Sequence, residues 1–212
     1  MGELKDLTVE EFAARTASSA SVPGGGSVAA LTGALAAALS EMVANLTIGK
    51  AKYAGVEEEM RQLAERGTKL RLELLEGIRK DSTSFGLYME ALAMPKATEE
   101  EKMVRREAMQ RGLRAATEAP LAIAEAAAGI FPIAEAVVLR GNTGAVTDGL
   151  VSAMLARTAV LSALLNVKIN LGSIKEEAFA AATAARVKEL EELAVHYEKR
   201  ILKASELTEQ LQ

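Results

Sequence analysis

Three long stretches of the chain are almost wholly apolar, and they constrain the fold more than any other feature. They cover residues 28–48, 119–139 and 144–171, and each is rich in alanine, leucine or valine. Such stretches either cross a membrane or form the centre of a helical bundle or an oligomer interface. Each also carries polar residues that are expensive in lipid: Glu41 and Asn45, Glu125 and Glu135, and Arg157 and Lys168. We therefore expect no membrane partner, and we expect these stretches to form buried helices.

The composition favours tightly packed helices over a sheet. Half of the 212 residues are hydrophobic, yet only 3% are aromatic, and alanine does much of the filling. Small side chains let helices approach closely. Thr8 with Glu11 and Thr98 with Glu101 have the spacing of capping boxes at helix starts. The sequence therefore predicts an all-α fold, a bundle of long packed helices in a single domain that spans residues 1–212.

Helix signals and breakers divide this domain into consecutive helices. Pro120 is expected to break or kink the fourth, and Pro132 to kink the run that follows it. The predicted helices are Thr8 to Ser18, Ser27 to Gly49, Val56 to Ala93, Thr98 to Pro120, an apolar run to Leu139, Thr147 or Asp148 to Leu171, and Lys175 to Leu207.

Charge and residue usage exclude several classes of function. The net charge is −4 and no long Lys/Arg run is present, which argues against nucleic acid as a partner. The chain has no cysteine and a single histidine, His196, so we expect no metal site. The first residues lack the apolar segment of a signal peptide, which favours a cytoplasmic location.

One carboxylate lies on a stripe that should face the core. Apolar residues at steps of three and four run from Met60 to Leu92, and Asp81 falls on the same stripe. A buried carboxylate is costly unless it is paired, hydrogen-bonded or raised in pKa. Two interpretations stay open at this point: a structural carboxylate, or a general acid/base whose pKa is tuned by burial.

The sixth helix carries a polar thread on an otherwise apolar background. At steps of three and four the thread includes Asp148, Ser152, Ser162, Asn166 and Asn170. It fits an internal hydrogen-bond network, and it equally fits the wall of a pocket for a polar heterocycle. Asp148 stands near the helix start, where a carboxylate suits the helix dipole in either case.

Two further groups are candidates for ligand binding. Lys50, Lys52, Tyr53 and Lys96 follow helix ends, where they are either solvated charges or a set that holds an anionic ligand. The segment S-V-P-G-G-G-S at 21–27 is either a tight turn or a place where backbone approaches a flat ligand, with Ser27 capping the next helix. It lacks the Lys-Ser/Thr of a nucleotide loop.

Several sequence blocks together resemble the cyclodeaminase/cyclohydrolase family, which includes the C-terminal domain of formiminotransferase-cyclodeaminase. In order they are P-G-G-G-S-V-A-A at 23–30, M-V-A-N-L-T-I-G-K-A-K-Y at 42–53, D-S-T-S-F-G-L-Y-M-E-A-L-A-M-P-K at 81–96, G-N-T-G-A-V-T-D at 141–148 and N-V-K-I-N-L at 166–171. The resemblance covers residues 4–202. One departure is that Gly144 and Thr147 stand where relatives often have other residues, which bears on fine specificity.

The resemblance implies an all-α homodimer that acts on a tetrahydrofolate derivative without a metal or prosthetic group. Asp81 matches the family's active-site aspartate. The implied substrate-binding residues are Gly24, Gly25, Gly26, Ser27, Asn45, Lys50, Lys52, Tyr53, Lys96, Asn142, Asp148 and Asn166. The implied reaction is closure of formiminotetrahydrofolate to methenyltetrahydrofolate with release of ammonia. The alternatives are hydrolysis of methenyltetrahydrofolate to the formyl derivative, another chemistry on this scaffold, or a non-catalytic helical dimerisation module.

Overall fold

Every regular element in the described part of the chain is helical. The computed structural model describes residues 3–211, with side chains for residues 3–209, so Met1, Gly2 and Gln212 of the predicted domain lie outside the described residues. The helices are α1 Val9–Thr16, α2 Gly25–Asn45, α3 Glu57–Ala93, α4 Glu99–Ala128, α5 Phe131–Arg140, α6 Val146–Leu171 and α7 Glu177–Leu202. Short 3₁₀ turns lie at Leu4–Asp6, Ala51–Val56, Thr143–Ala145 and Glu206–Leu211. The prediction of an all-α, single-domain bundle is confirmed.

Four of the long helices form an up-down-up-down bundle. α2 packs against α3 and α6, and α4 packs against the same two helices. α2 and α3 are antiparallel, because Gly26 of α2 lies against Asp81 whereas Gly67, earlier on α3, lies against Glu41. α7 packs chiefly on α6, while α5 packs on both α6 and α7. Within residues 3–211, this architecture leaves one long face between α2 and α6 that no other helix covers, with Leu35 and Leu165 exposed on it.

Small residues set the alignment of α2 with α6. A Cβ on Gly33 would lie 3.4 Å from the Cβ of Ala159, and the hydroxyls of Ser40 and Ser152 are 2.7 Å apart. Ser152 also donates to the carbonyl of Ala36 at 2.7 Å. Both serines are fully buried, so they satisfy each other inside the bundle. This part of the polar thread is therefore a structural network.

Five of the six charges within the apolar stretches find partners in neighbouring helices. Glu41 accepts hydrogen bonds from Thr68 and Arg71 of α3. The other four pair with α7: Glu125 with Arg186, Glu135 with Arg200, Arg157 with Glu198, and Lys168 with Glu191. Each of these five charges therefore reaches an opposite charge near the surface, whereas Asp148 has no ion-pair partner among the described residues.

Three helical stretches are long and apolar enough to cross a membrane when only length and composition are considered. They are Gly25–Asn45, Glu99–Arg140 and Thr143–Leu171. Between 50% and 56% of the apolar window of each is buried inside the structure. Much of their apolar character therefore belongs to the core, and the absence of a membrane partner stays a prediction.

Several predicted helix boundaries are wrong. The second helix begins at Gly25 and ends at Asn45, so Ser27 lies inside its first turn and is not its N-cap; Gly24 holds that position. The sixth helix begins at Val146, directly after a 3₁₀ turn, and the last spans Glu177–Leu202. The capping boxes at Thr8 and Thr98 are confirmed, each with both of its hydrogen bonds.

Pro132 acts differently from the prediction, and Pro120 does not break its helix. Pro132 lies in the first turn of α5, where its missing N–H costs nothing, so it starts a helix and does not kink one. α4 continues through Pro120 as one helix. Pro120 cannot donate to the carbonyl of Ala116 one turn earlier, and the Asn170 side chain of α6 donates to that oxygen at 2.7 Å. A neighbouring helix thus supplies the missing donor.

Candidate functional site

The centre of the candidate site is the carboxylate of Asp81, held between α3 and the first turn of α2. The Ser27 hydroxyl donates to Asp81 Oδ2 at 2.8 Å. The backbone N–H of Ser27 also donates to this carboxylate. A Cβ added to Gly26 would lie 2.6 Å from Asp81 Cγ and closer still to Oδ1. Gly26 is therefore glycine because the carboxylate occupies the space that a side chain would need.

Burial tunes the acidity of Asp81. Removal from water raises the pKa of its carboxyl above the ordinary value of 3.8, and the two hydrogen bonds from Ser27 oppose that rise without cancelling it. Asp81 lies in the middle of α3 and forms no ion pair among the residues that the structure describes. An unpaired carboxyl with a raised pKa at the edge of a cleft is suited to take up and release a proton.

Asp81 opens into a cleft of about 290 Å³ between the ends of α2 and α6 and the middle of α3 and α4. Of the residues expected to bind substrate, Gly24, Gly25, Gly26 and Asn166 line it together with Asp81. Ser27 is fully buried and acts on the cleft only through Asp81. The remaining lining is Ser21, Val22, Ser84, Phe85, Ala116, Ile169 and Asn170.

Amide side chains from α6 line the cleft next to the glycines. Asn166 Nδ2 donates to the carbonyl of Ser162 at 2.9 Å, which leaves its oxygen free to accept from a ligand. A Cβ on Gly25 would lie 3.2 Å from Asn166 Nδ2, so the two residues are in near contact where they line the cleft. Asn170 is fixed by its bond to Ala116. The C-terminal part of the polar thread, Asn166 and Asn170, therefore lines a pocket, while Ser152 belongs to the core.

Asn170 is one of the cleft residues that the sequence interpretation leaves out of its binding set. It belongs to the polar thread, but nothing in its own neighbourhood distinguishes it from a structural amide. The sequence signal that could have pointed to Asn170 is Pro120. A proline inside a long helix leaves a carbonyl one turn earlier without its donor, and a side chain from another helix can supply one. Ser84 and Phe85, in the turn after Asp81, are also missed, and their position relative to Asp81 follows directly from helical spacing.

A second group of predicted binding residues lies at the other end of α2. Tyr53 Oη accepts from the Thr143 backbone N–H at 3.0 Å and lies 3.2 Å from the Thr143 hydroxyl. Asn142 donates through its backbone to Thr47 Oγ1 at 2.8 Å and through its side chain to the Leu46 carbonyl at 3.1 Å. These bonds join the segment that follows α2 to the segment that precedes α6. The other predicted residues of this group are Asn45, Lys50, Lys52 and Asp148.

The two groups are far apart within one chain. α2 has 21 residues, which is about 30 Å of helix at 1.5 Å per residue. Asp81 lies beside its first turn, whereas Lys50 follows its last. Lys96 lies elsewhere, beyond the end of α3, on an exposed surface with Lys102, Arg105 and Arg106. The cleft therefore brings together Asp81, the glycines and Asn166, and it does not include the predicted cations of its own chain.

Tyr53 has an unusual phenol within the second group. The hydrogen bonds from Thr143 and the nearby Lys52 lower the pKa of Tyr53 to about 8. Lys52 Nζ lies 5.1 Å from the centre of the Tyr53 ring. Asp148 is half-buried at the start of α6 and has no hydrogen-bond partner among the described residues. This end of the bundle therefore carries several polar side chains, and one of them, Asp148, has no hydrogen-bond partner among the described residues.

A second groove, of about 510 Å³, lies between the C-terminal part of α3 and the facing part of α4. Its lining is mainly apolar, with the exposed Glu90 and Arg111 among the residues that border it. It offers no buried carboxyl comparable to Asp81. No group of three metal-binding side chains comes together anywhere in residues 3–209, and the expectation of a metal-free site stays a prediction.

Comparison with known proteins places these features in a family. Residues 8–189 match the family model described as formiminotransferase-cyclodeaminase. The chain is 41% identical over 186 residues to a methenyltetrahydrofolate cyclohydrolase of Methylorubrum extorquens, with 88% of each protein covered. It is 36% identical over 179 residues to the formimidoyltransferase-cyclodeaminase of Sus scrofa, and there the match spans only 33% of the longer animal protein.

A solved structure shows the same architecture. The formiminotetrahydrofolate cyclodeaminase of Thermotoga maritima superposes with a TM-score of 0.85 at 31% identity, over 95% of this chain and 97% of that one. Residues 8–189, which the family model matches, include both Asp81 and the glycine segment. The chain therefore belongs to the formiminotransferase-cyclodeaminase family and is an enzyme of its cyclodeaminase or cyclohydrolase type.

Proposed function

We propose that this enzyme closes formiminotetrahydrofolate to methenyltetrahydrofolate and releases ammonia, with Asp81 as the proton-transfer group. The observation that carries the proposal is an unpaired carboxyl of raised pKa at the mouth of a cleft lined by backbone and amides. Ring closure needs a base for one nitrogen and an acid for another, and a single carboxyl can serve both in turn.

Asp81 carries one proton through both steps. The anilino nitrogen of the folate attacks the carbon of the protonated formimino group, whose C=N double bond becomes a single bond to an amino group, and ionised Asp81 takes the proton that the anilino nitrogen loses. The protonated carboxyl then gives that proton to the amino group, which leaves as ammonia when its bond to carbon breaks. Because the pKa of Asp81 is raised, the carboxyl holds the proton more readily between the two steps than an ordinary aspartate would.

The ring system of the folate fits the glycine and amide walls of the cleft. A flat heterocycle can lie against the backbone of Gly24, and Asn166, whose side chain lies beside Gly25, offers an acceptor oxygen in the same cleft. The predicted role of Asn142 and Asp148 in binding the donor edge of the pterin stays a prediction, because the length of α2 separates them from Asp81 within one chain. The predicted role of Lys50, Lys52 and Lys96 in holding the glutamate carboxylates also stays a prediction, because none of the three lines the cleft.

A second candidate is hydrolysis of methenyltetrahydrofolate to formyltetrahydrofolate. It is favoured by the full-length similarity to the cyclohydrolase of Methylorubrum extorquens at 41% identity. In this reaction ionised Asp81 would take a proton from the water that attacks the methenyl carbon. The protonated carboxyl would return it to the folate nitrogen whose bond to that carbon breaks, while the second proton of the water passes to solvent, so the same carboxyl serves either substrate. A homodimer, a cytoplasmic location and the absence of a prosthetic group are part of both proposals.

One experiment separates the two reactions. The absorbance of methenyltetrahydrofolate is followed after enzyme is added either to formiminotetrahydrofolate or to methenyltetrahydrofolate in buffer. An enzyme-dependent rise with the first substrate supports cyclodeamination, and an enzyme-dependent fall with the second supports hydrolysis. If neither absorbance changes above the uncatalysed rate, the enzyme does not act at this carbon and both proposals fail.

A further inference from the structure

We propose that Phe85 and Ile169 form an apolar subsite that holds the aminobenzoyl ring of the folate, next to the carbon at which Asp81 acts. We call these two side chains the ring clamp. Both border the Asp81 cleft, and neither belongs to the set that the sequence predicts to bind substrate. The inference rests on the proposed function, because it assigns a place to one part of the folate.

Phe85 is an aromatic residue that the core does not use. The chain has only four phenylalanines and three tyrosines. Phe131 and Tyr197 stack on each other in the larger apolar cluster, and Phe179 lies against the Arg114 guanidinium. Phe85 packs into neither apolar cluster of the described residues and has no ring or cation contact among them. This half-buried ring is therefore available to a ligand.

Ile169 is the second apolar side chain of the cleft that the core does not use. It is 77% exposed and lies outside both apolar clusters. A single exposed isoleucine is ordinary on a protein surface. Here, however, it borders the same cleft as Phe85, and pockets for small molecules are lined mainly by apolar and aromatic side chains. The pair therefore indicates a surface that an apolar part of the ligand covers.

The helices bring these two side chains to the cleft from different sides. Phe85 follows Asp81 by one turn of α3, and Ile169 follows Asn166 by nearly one turn of α6. Asp81 and Asn166 both lie beside the first turn of α2, so one turn further on both helices have passed its start. α3 and α6 are diagonal in the bundle, because each packs on α2 and α4. The ring clamp therefore lies about 6 Å further along the helices than Asp81, with the cleft between its two members.

The chemistry of the ring clamp matches the aminobenzoyl ring better than the pterin. The pterin has donors and acceptors along its edge, which need polar partners such as the Asn166 amide and the backbone of Gly24. The aminobenzoyl ring is bonded directly to the anilino nitrogen, and its two faces are apolar. Such faces gain most from aromatic and aliphatic side chains. The ring next to the reacting nitrogen is therefore the part of the folate that the clamp takes.

The first test is the KM of Phe85→Leu, which keeps an apolar side chain on α3 and removes the ring. KM for the folate that the wild type converts should rise roughly tenfold. The kcat should change much less, because the ring is held equally in the ground state and the transition state. Tyr88→Leu is the matched control, because Tyr88 is another half-buried aromatic residue of α3 and does not line the cleft. It should keep the wild-type KM.

The second variant, Ile169→Ser, separates ligand contact from folding. The fold leaves Ile169 exposed, so the urea midpoint of this variant should equal that of the wild type. Its KM should rise, by less than in Phe85→Leu, because an aliphatic side chain covers less of the ring. If Phe85→Leu loses helical content by circular dichroism, Ile169→Ser decides the test, and an unchanged KM in that variant overturns the inference.

The third test asks which ring the clamp holds. p-Aminobenzoylglutamate and 6-methyltetrahydropterin are compared as competitive inhibitors of the wild type and of Phe85→Leu. Inhibition by p-aminobenzoylglutamate should weaken roughly tenfold in the variant, and inhibition by 6-methyltetrahydropterin should stay the same. Equal weakening of both, or weakening of the pterin alone, overturns the assignment. It is also overturned if p-aminobenzoylglutamate does not compete with the substrate of the wild type.

The outcomes distinguish this inference from the proposed function. An active wild type whose KM is unchanged in both Phe85→Leu and Ile169→Ser overturns the ring clamp and leaves the proposed function standing. A wild type that is inactive with both folates overturns the proposed function and the ring clamp together.

Discussion

The carboxylate of Asp81 occupies the volume that a side chain at Gly26 would fill. A Cβ at position 26 would lie 2.6 Å from Asp81 Cγ, and the next residue, Ser27, donates its hydroxyl to Oδ2. In the first turn of α2, Gly26 thus leaves room for the carboxylate and Ser27 holds it by a hydrogen bond. This relationship explains the most constrained of the three consecutive glycines by the position of the carboxylate.

Gly26→Ala should displace Asp81 from its position. The added methyl group is incompatible with the carboxylate, so we expect a loss of about 1–3 kcal/mol in the free energy of unfolding and a large fall in kcat. Gly25→Ala is the matched control, because its Cβ meets only the Asn166 amide, at 3.2 Å, within the cleft. That variant should keep its stability and lose folate affinity. Equal effects of the two substitutions on kcat would contradict this account.

Ser27→Ala should shift the pH dependence of catalysis. The Ser27 hydroxyl stabilises the charged form of Asp81 and lowers its pKa, so its removal raises that pKa further. Because ionised Asp81 is the base, the acidic limb of the kcat/KM profile should move to higher pH in the variant. Ser40→Ala, at another buried serine of α2 that bonds to Ser152, should leave the limb in place. If the acidic limb does not shift in Ser27→Ala, the group that titrates on that limb is not Asp81.

Asn170→Ala should destabilise the enzyme through Pro120. The substitution leaves the carbonyl of Ala116 without a donor, which costs about 1–3 kcal/mol in the free energy of unfolding. In the Pro120→Ala background the new backbone N–H at position 120 can donate to that carbonyl, so the same substitution should cost less. Urea unfolding of the four proteins gives the coupling energy. An identical cost in both backgrounds would show that Asn170 does not replace the missing donor.

Tyr53 should titrate well below an ordinary tyrosine. Its pKa of about 8 follows first from the hydrogen bonds that Thr143 gives to the phenol oxygen. An ultraviolet titration should show one of the three tyrosines ionising near that pH, and Tyr53→Phe should remove this transition. Thr143→Val removes the hydroxyl donor and should raise the pKa toward the ordinary value of 10. A single transition of all tyrosines near the ordinary value would contradict the contact.

The fold could be predicted because its signals are local. Apolar residues at steps of three and four, low aromatic content and the capping boxes at Thr8 and Thr98 determine helices without knowledge of their neighbours. The same spacing placed Asp81 on the stripe that faces α2. The boundaries at Ser27 and Gly49 were wrong because glycines allow either a helix or a turn, and packing against Asp81 and α6 decides between them.

The composition of the site could be predicted only in part, because it depends on which helices meet. The glycines and Asn166 are brought together by the antiparallel pairing of α2 with α6, for which the sequence has no direct signal. The sequence blocks that carry Lys50 and Asn142 gave no indication that the whole length of α2 separates them from Asp81. The role of Asn170 depends on α6 crossing α4 at Ala116, which is a tertiary relationship.

The most direct test of the account is the turnover of Asp81→Asn. The variant keeps the size of the side chain and should fold with the same helical content and bind folate, while turnover falls roughly 100-fold or more because proton transfer is lost. The measurement is kcat with whichever folate the wild-type enzyme converts, next to folate affinity by calorimetry. A kcat close to that of the wild type would contradict the central role given to Asp81.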